Sequence, residues 1–219
     1  MIRFSNVSKQ FRKGDTTVRA LDNVTFEVEP GQLALVRGPS GSGKTTLINL
    51  AAGLSHASLG SIHVAGTCID GLSLRERANL RAREVAVVFQ LFHLVPYLTA
   101  LENVLLPTLA TPGAGNAPER ARGLLAELGL ESRGNHYPDE MSAGERQRCA
   151  LARALLNEPA VILADEPTGN LDPASAETVL AHLDNARKRG ATVLLVSHQP
   201  IDSIRPDVVF ELREGRLLP

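Results

Sequence analysis

Cysteine is scarce: the 219-residue sequence holds two, Cys68 and Cys149, far apart and without any CxxC or Cys/His spacing. That argues against a disulfide framework and against a zinc site, and fits a reducing compartment. An excess of charge of one sign is missing as well. Lysine and arginine number 23 against 24 for aspartate and glutamate, a formal net charge of -1, so no basic field exists to hold a polyanion and nucleic acid is not an expected partner. Long apolar runs are lacking too: none approaches the ~18 residues needed to span a bilayer, and the stretch from Met1 to Ser5 does not open a signal peptide. Work at a membrane therefore calls for another chain to do the spanning. No sequence repeat is visible either. What is present is 43% hydrophobic and 21% charged residues, the balance of a globular protein, with a length that suits one domain carrying an elaboration.

Short β-branched runs alternate with longer amphipathic segments, which reads as α/β. Strands are expected near Ile2–Val7, Val24–Val28, Leu33–Arg37, Ser61–Val64, Val85–Phe89, Val161–Ala164, Thr192–Val196 and Val208–Leu212. Three of these (Leu33–Val36, Val161–Ala164 and Val193–Val196) are apolar throughout, as central parallel strands covered on both faces should be. Between Gln90 and Asn157 the strand signal gives way to helices, so a helical insertion is placed over 91–157, with an exposed loop at Ala110–Pro118. Thr99 to Glu102 and Ser142 to Glu145 have capping-box spacing, and Asp172-Pro173 reads as an N-cap followed by proline at the first helical position. Gly190 marks the far end of the helix that Asp172 begins.

Gly38-Pro39-Ser40-Gly41-Ser42-Gly43-Lys44-Thr45 matches G-x-x-x-x-G-K-[ST] and lies between an apolar strand and a helix-like stretch opening at Thr46. Glycines let such a loop aim backbone N–H groups at phosphate, and the helix behind it adds its positive end. Lys44 would neutralise β- and γ-phosphate oxygens, and Thr45 would hold Mg²⁺. A plain Gly/Ser turn is the competing reading, and the strand-to-helix context weighs against it. Asp165 and Glu166 close the apolar strand at 161–164, at the end where open parallel sheets bind ligands. Asp165 suits Mg²⁺, and Glu166 suits orienting and deprotonating a water.

Gln90 and His198 each directly follow a strand on the same sheet edge. A carboxamide there can touch the metal or the attacking water, and an imidazole can bond the γ-phosphate; each also fits an ordinary loop residue. His56, His63, His93, His136 and His182 lack that placement and read as surface or packing residues. For Ser142 a helix cap explains the residue without any ligand, and a phosphate presented by another molecule explains it equally.

With these pieces in this order, the chain resembles the ATP-binding subunits of ABC transporters over nearly its full length. Gly38–Thr45 looks like Walker A, Gln90 the Q-loop, Met141–Glu145 the signature, Val161–Glu166 Walker B, Gly169–Asp172 the D-loop and His198 the switch histidine. The resemblance implies a P-loop NTPase (RecA-like) fold: a mostly parallel sheet core, an antiparallel β part and the helical subdomain at 91–157 inside one 1–219 ATPase domain. It implies ATP and Mg²⁺, with Phe11 stacking on adenine. It implies a head-to-tail homodimer in which Ser142, Gly144 and the Asp172 loop meet the partner's nucleotide, and a separate transmembrane permease contacted near Leu91–Tyr97. The subunit would sit peripherally on the cytoplasmic face of a bacterial inner membrane. Leu98–Val104, Gly144–Arg148 and Leu163–Asp172 look most like the lipoprotein-releasing and macrolide-export (LolD/MacB) branch, with cell-division FtsE subunits as relatives; an FtsE-like envelope role or a weakly hydrolysing nucleotide sensor are the alternatives.

One departure stands out. The usual Leu-Ser-Gly-Gly-Gln reads Met-Ser-Ala-Gly-Glu here, and the methyl of Ala143 is expected to restrict the backbone beside the phosphate. On that reading Ala143→Gly alters dimerisation or turnover while leaving monomer affinity for ATP unchanged.

Overall fold

The three wholly apolar runs become adjacent strands: β3 (Leu33–Arg37), β7 (Val161–Asp165) and β8 (Thr192–Ser197), every residue of the last two buried. They are central to a six-stranded sheet that also contains β6 (Val85–Val88), β9 (Val208–Arg213) and β10 (Arg216–Leu217), in the order β10-β9-β3-β8-β7-β6. All pairings are parallel except that of β10 with β9. The computed structural model describes residues 1–219 apart from positions 15, 112–114, 199–200, 202 and 219 and the side chain of Lys13, so the centre of the loop expected at Ala110–Pro118 lies outside the described residues.

Alternation along the parallel strands divides the core in two. Leu33, Leu35, Ile162, Ala164, Val193 and Leu195 face the helical side. There they pack against α3 (Ala100–Leu105), α4 (Ala117–Glu127), α5 (Ala143–Leu155) and α6 (Pro173–Lys188). Ala34, Val36, Val161, Leu163, Leu194 and Val196 face α1 (Lys44–Ala51) and a second sheet. That sheet is antiparallel, ordered β2-β1-β4-β5, from β1 (Ile2–Lys13), β2 (Thr16–Val28), β4 (Leu59–Val64) and β5 (Thr67–Cys68). Phe4 stacks on Phe26 at 4.7 Å between ring centres, and Phe26 meets Phe210 of β9 at 5.0 Å, joining the two sheets.

The first two strands are longer than expected. Residues 8–23 complete a hairpin whose outer half, beyond register shifts between Phe4 and Gln10, is exposed on both faces, so it carries no two-residue apolar period to read. Helix α2 (Leu74–Arg83) was also not anticipated, although Ser73 and Glu76 form a capping box at its start. The boxes expected at Thr99/Glu102 and Ser142/Glu145 are formed, and Asp172 caps α6 by accepting from the Ser175 N–H at 3.0 Å.

Candidate functional site

The loop from Gly38 to Gly43 links β3 to α1, and its glycines are required for distinct reasons. A Cβ at Gly38 would lie 2.1 Å from the Leu212 carbonyl oxygen of β9, and one at Gly43 would lie 2.5 Å from the Ala20 carbonyl oxygen of β2. A Cβ at Gly41 would meet nothing within 4 Å, but its φ is 79°, a left-handed conformation that side chains disfavour. The loop is therefore wedged between strands from distant parts of the chain. Gly215 extends the wedge, its N–H donating to Ser42 O at 3.0 Å and its carbonyl accepting from Asp22 N–H at 2.8 Å.

Lys44, buried, swings its ammonium back over this loop, donating to Gly38 O at 2.8 Å and Pro39 O at 3.0 Å. The same nitrogen is 3.7 Å from Glu166 Oε1. His198 approaches the other carboxylate oxygen, with Nδ1 at 2.9 Å from Oε2. Glu166 itself has φ of 46°, a strained conformation for a residue with a side chain, and its backbone N–H is anchored to Val196 O at 3.0 Å. Beside it, Asp165 lies buried at the end of β7 and accepts from Thr45 Oγ1 at 3.4 Å. Burial raises the Asp165 pKa, while the Thr45 bond pulls it down. Two hard oxygen donors from the two motifs thus stand side by side, a donor set that suits Mg²⁺.

Gln90 follows β6, and its Nε2 lies 3.3 Å from where a Cβ on Gly169 would stand, against the turn after Glu166. The structure therefore brings Lys44, Thr45, Gln90, Asp165, Glu166 and His198 to one edge of the sheet. Other expected site residues stand apart in their contacts. Ser142 caps α5, accepting from Glu145 N–H at 3.2 Å while the Glu145 carboxylate accepts from Ser142 N–H at 2.8 Å and from Arg133 at 2.8 Å. These donors pull the Glu145 pKa down to about 2, the Ser142 N–H being the largest cause. Gly144 is buried against α6, where a Cβ would meet Ser175 Oγ at 2.5 Å. Ala143 occupies the first helical position of α5 and is not among the residues with positive φ, so this backbone holds a methyl there without strain. Phe11 is exposed on the β1–β2 hairpin, with Lys9 Nζ 4.8 Å above its ring.

Four polar side chains of α5 were not anticipated. Gln147, fully buried, donates from Nε2 to Pro167 O at 2.8 Å, and Arg148 donates to Ser175 Oγ at 3.3 Å. Arg153 donates to His93 O at 2.7 Å and Phe92 O at 2.8 Å, carbonyls of two residues held at positive φ, while Arg146 lies over the Phe92 ring at 5.6 Å. Gln147 did leave a signal: it shares the apolar stripe of Ala150, Leu151 and Ala154, where a polar residue is out of place.

The sequence profile described as ABC transporter matches residues 21–169. The chain belongs to the ABC transporter family. It is 42% identical over 219 residues to the lipoprotein-releasing system ATP-binding protein LolD of Ruegeria pomeroyi, a match covering 99% of this chain and 96% of that protein. It is also 42% identical over 216 residues to the macrolide export ATP-binding/permease protein MacB of Bradyrhizobium diazoefficiens, covering 98% of this chain but 33% of that longer protein. Among solved structures, a dimeric post-hydrolysis ATP-binding cassette bound to ADP and Pi superposes with a TM-score of 0.93 at 36% identity, covering 99% of this chain and 96% of that one. This ABC-type chain therefore has the ATPase cassette fold that its motifs imply, and is an ATP-binding subunit homologous to LolD and to the ATP-binding part of MacB.

Proposed function

We propose that this ABC ATPase hydrolyses ATP with Glu166 as general base and works as a head-to-tail pair that powers a separate membrane permease. The observation that carries the reading is the convergence of Lys44 and His198 on the two oxygens of Glu166, next to the Thr45–Asp165 pair. On binding, phosphate oxygens replace the Gly38 and Pro39 carbonyls as acceptors for Lys44, and the loop N–H groups and the start of α1 take up the remaining charge. Glu166, fixed by its backbone, accepts a proton from the attacking water, and His198 Nδ1–H, 2.9 Å from that carboxylate, would turn to donate to a γ-phosphate oxygen when ATP is bound. Gln90 stands at the turn where that water would be held. Thr45 and Asp165 would hold Mg²⁺, which when bound offsets phosphate charge. Phe11, exposed, would stack on adenine.

Dimerisation fits the exposed Ser142 at the positive end of α5, which would meet the partner's nucleotide together with Gly144 and the loop closed by Asp172. Permease contact fits Leu91 and Tyr97, 69% and 78% exposed, at the edge of the helical subdomain we assign to 91–157 of a single 1–219 domain. Among the described residues no helix is long and apolar enough to cross a membrane, consistent with peripheral attachment at the cytoplasmic face. The test is ATPase turnover of wild type beside Glu166→Gln, with size exclusion in ATP. The variant is expected to lose turnover by about a hundredfold or more and to elute as a trapped dimer. Undiminished turnover in Glu166→Gln overturns the assignment.

A further inference from the structure

Two loops that carry chemistry are tied to one helix. The turn after β7 begins at Glu166, closes with Gly169 N–H donating to Glu166 O at 3.1 Å, and contains Pro167. Proline fixes φ near -65° and the Gly169–Glu166 bond closes the turn, so less of a displacement of the Pro167 carbonyl is absorbed before it reaches Glu166. That carbonyl is held by Gln147 Nε2 at 2.8 Å, from the second turn of the helix whose first turn is capped by Ser142.

We propose that Gln147 is a positioning residue for hydrolysis: its buried amide latches the helix begun at Ser142 to the turn that carries Glu166. This rests on the reading of Glu166 as general base. The amide is a poor choice for stability alone. Its Oε1 is buried with no hydrogen-bond partner among the described residues, in a helix face otherwise lined by Ala150, Leu151 and Ala154. Leaving an acceptor unpaired costs about as much as a made bond returns. A methionine of similar length would fill the same space without the unpaired Oε1, at the cost of the one bond to the Pro167 carbonyl, so the two changes largely offset. What it cannot do is transmit a shift of α5 to the Pro167 carbonyl. When a phosphate engages the N-terminus of α5, the latch sets Glu166 for the water; without it the two move independently. Arg148, bonded to Ser175 Oγ at 3.3 Å, holds the adjoining face of α5 to α6 and keeps the helix from rolling about the latch.

The experiment is steady-state ATPase kinetics of the full chain as wild type, Gln147→Met and Gln147→Glu, with thermal unfolding of each. Gln147→Met is expected to lower kcat about tenfold while KM for ATP stays within about twofold and the melting temperature shifts by no more than about 5 °C, the split that marks lost positioning. Gln147→Glu, which sets one acceptor against another, should lower kcat at least as far. Combined with Glu166→Gln, Gln147→Met should still form the ATP-bound dimer. Wild-type kcat in Gln147→Met overturns the latch, as does a loss of kcat accompanied by a raised KM, a lowered melting temperature and no dimer. If the wild type itself fails to turn over ATP, it is the ATPase reading that falls, and the latch falls with it.

Discussion

Glu145 shows how one residue of the signature stretch serves the fold before it serves any ligand. Its carboxylate accepts from Ser142 N–H and from Arg133, and its pKa is drawn from 4.5 to about 2. A depressed carboxyl stabilises the fold above its unfolded pKa, and that contribution fades as pH falls through the folded one. Glu145→Ala should therefore cost about 1 kcal/mol at neutral pH, the size of a helix cap at a partly solvated position. The difference from wild type should shrink between pH 4.5 and about pH 2; urea titrations across that range check it. The two neighbouring small residues separate as well. Gly144→Ala forces a methyl against Ser175 and should destabilise by about 1 to 2 kcal/mol, with Ser175→Gly restoring most of it. Ala143→Gly meets no such contact in this structure and should cost under about 1 kcal/mol, the ordinary price of glycine in a helix. Whether it also alters ATP-driven dimerisation is read by size exclusion on the Glu166→Gln background.

At the scale of elements, what was legible depended on whether a local rule was at work. Apolar runs gave β3, β7 and β8, and capping chemistry gave the starts of α3, α5 and α6, because burial on both faces and orphan N–H groups leave their mark within a few residues. The outer half of the β1–β2 hairpin, exposed on both faces, left none. The site residues were legible as motifs, and Gln90 and His198 as sharing the sheet edge of Asp165 and Glu166, but the particular contacts were not: those of Glu166 with Lys44 and His198, or of Gln147 with Pro167, join segments that no spacing rule connects. Arg153 is the clearest omission. Its guanidinium, partly stripped of water, takes the Phe92 and His93 carbonyls just beyond Gln90, while Asn103, buried, takes those of Val95, Leu98 and Thr99. Arg153→Ala should thus free the 90–93 end of that segment and leave 95–99 in place. Amide hydrogen exchange should report faster exchange confined to the first part, with overall stability lower by about 2 kcal/mol.

Across the whole molecule the phosphate loop is a meeting point rather than a free turn. Leu212 of β9 abuts Gly38, Ala20 of β2 abuts Gly43, and Gly215 bridges Ser42 and Asp22. Gly38→Ala, whose methyl would meet a backbone oxygen that a rotamer change cannot move, should destabilise by about 3 kcal/mol. Gly41→Ala, opposed only by its own dihedral, should cost about 1 kcal/mol. Equilibrium denaturation of the two variants tests that ordering. The same arrangement bears on synthesis. A growing polypeptide that has emerged only as far as β8 already contains the whole 38–45 motif, yet β3 still has an open side where β9 belongs and the loop has nothing behind Gly38. Competence to grip a triphosphate should therefore arise late, once residues 208–217 are free to pair beside β3.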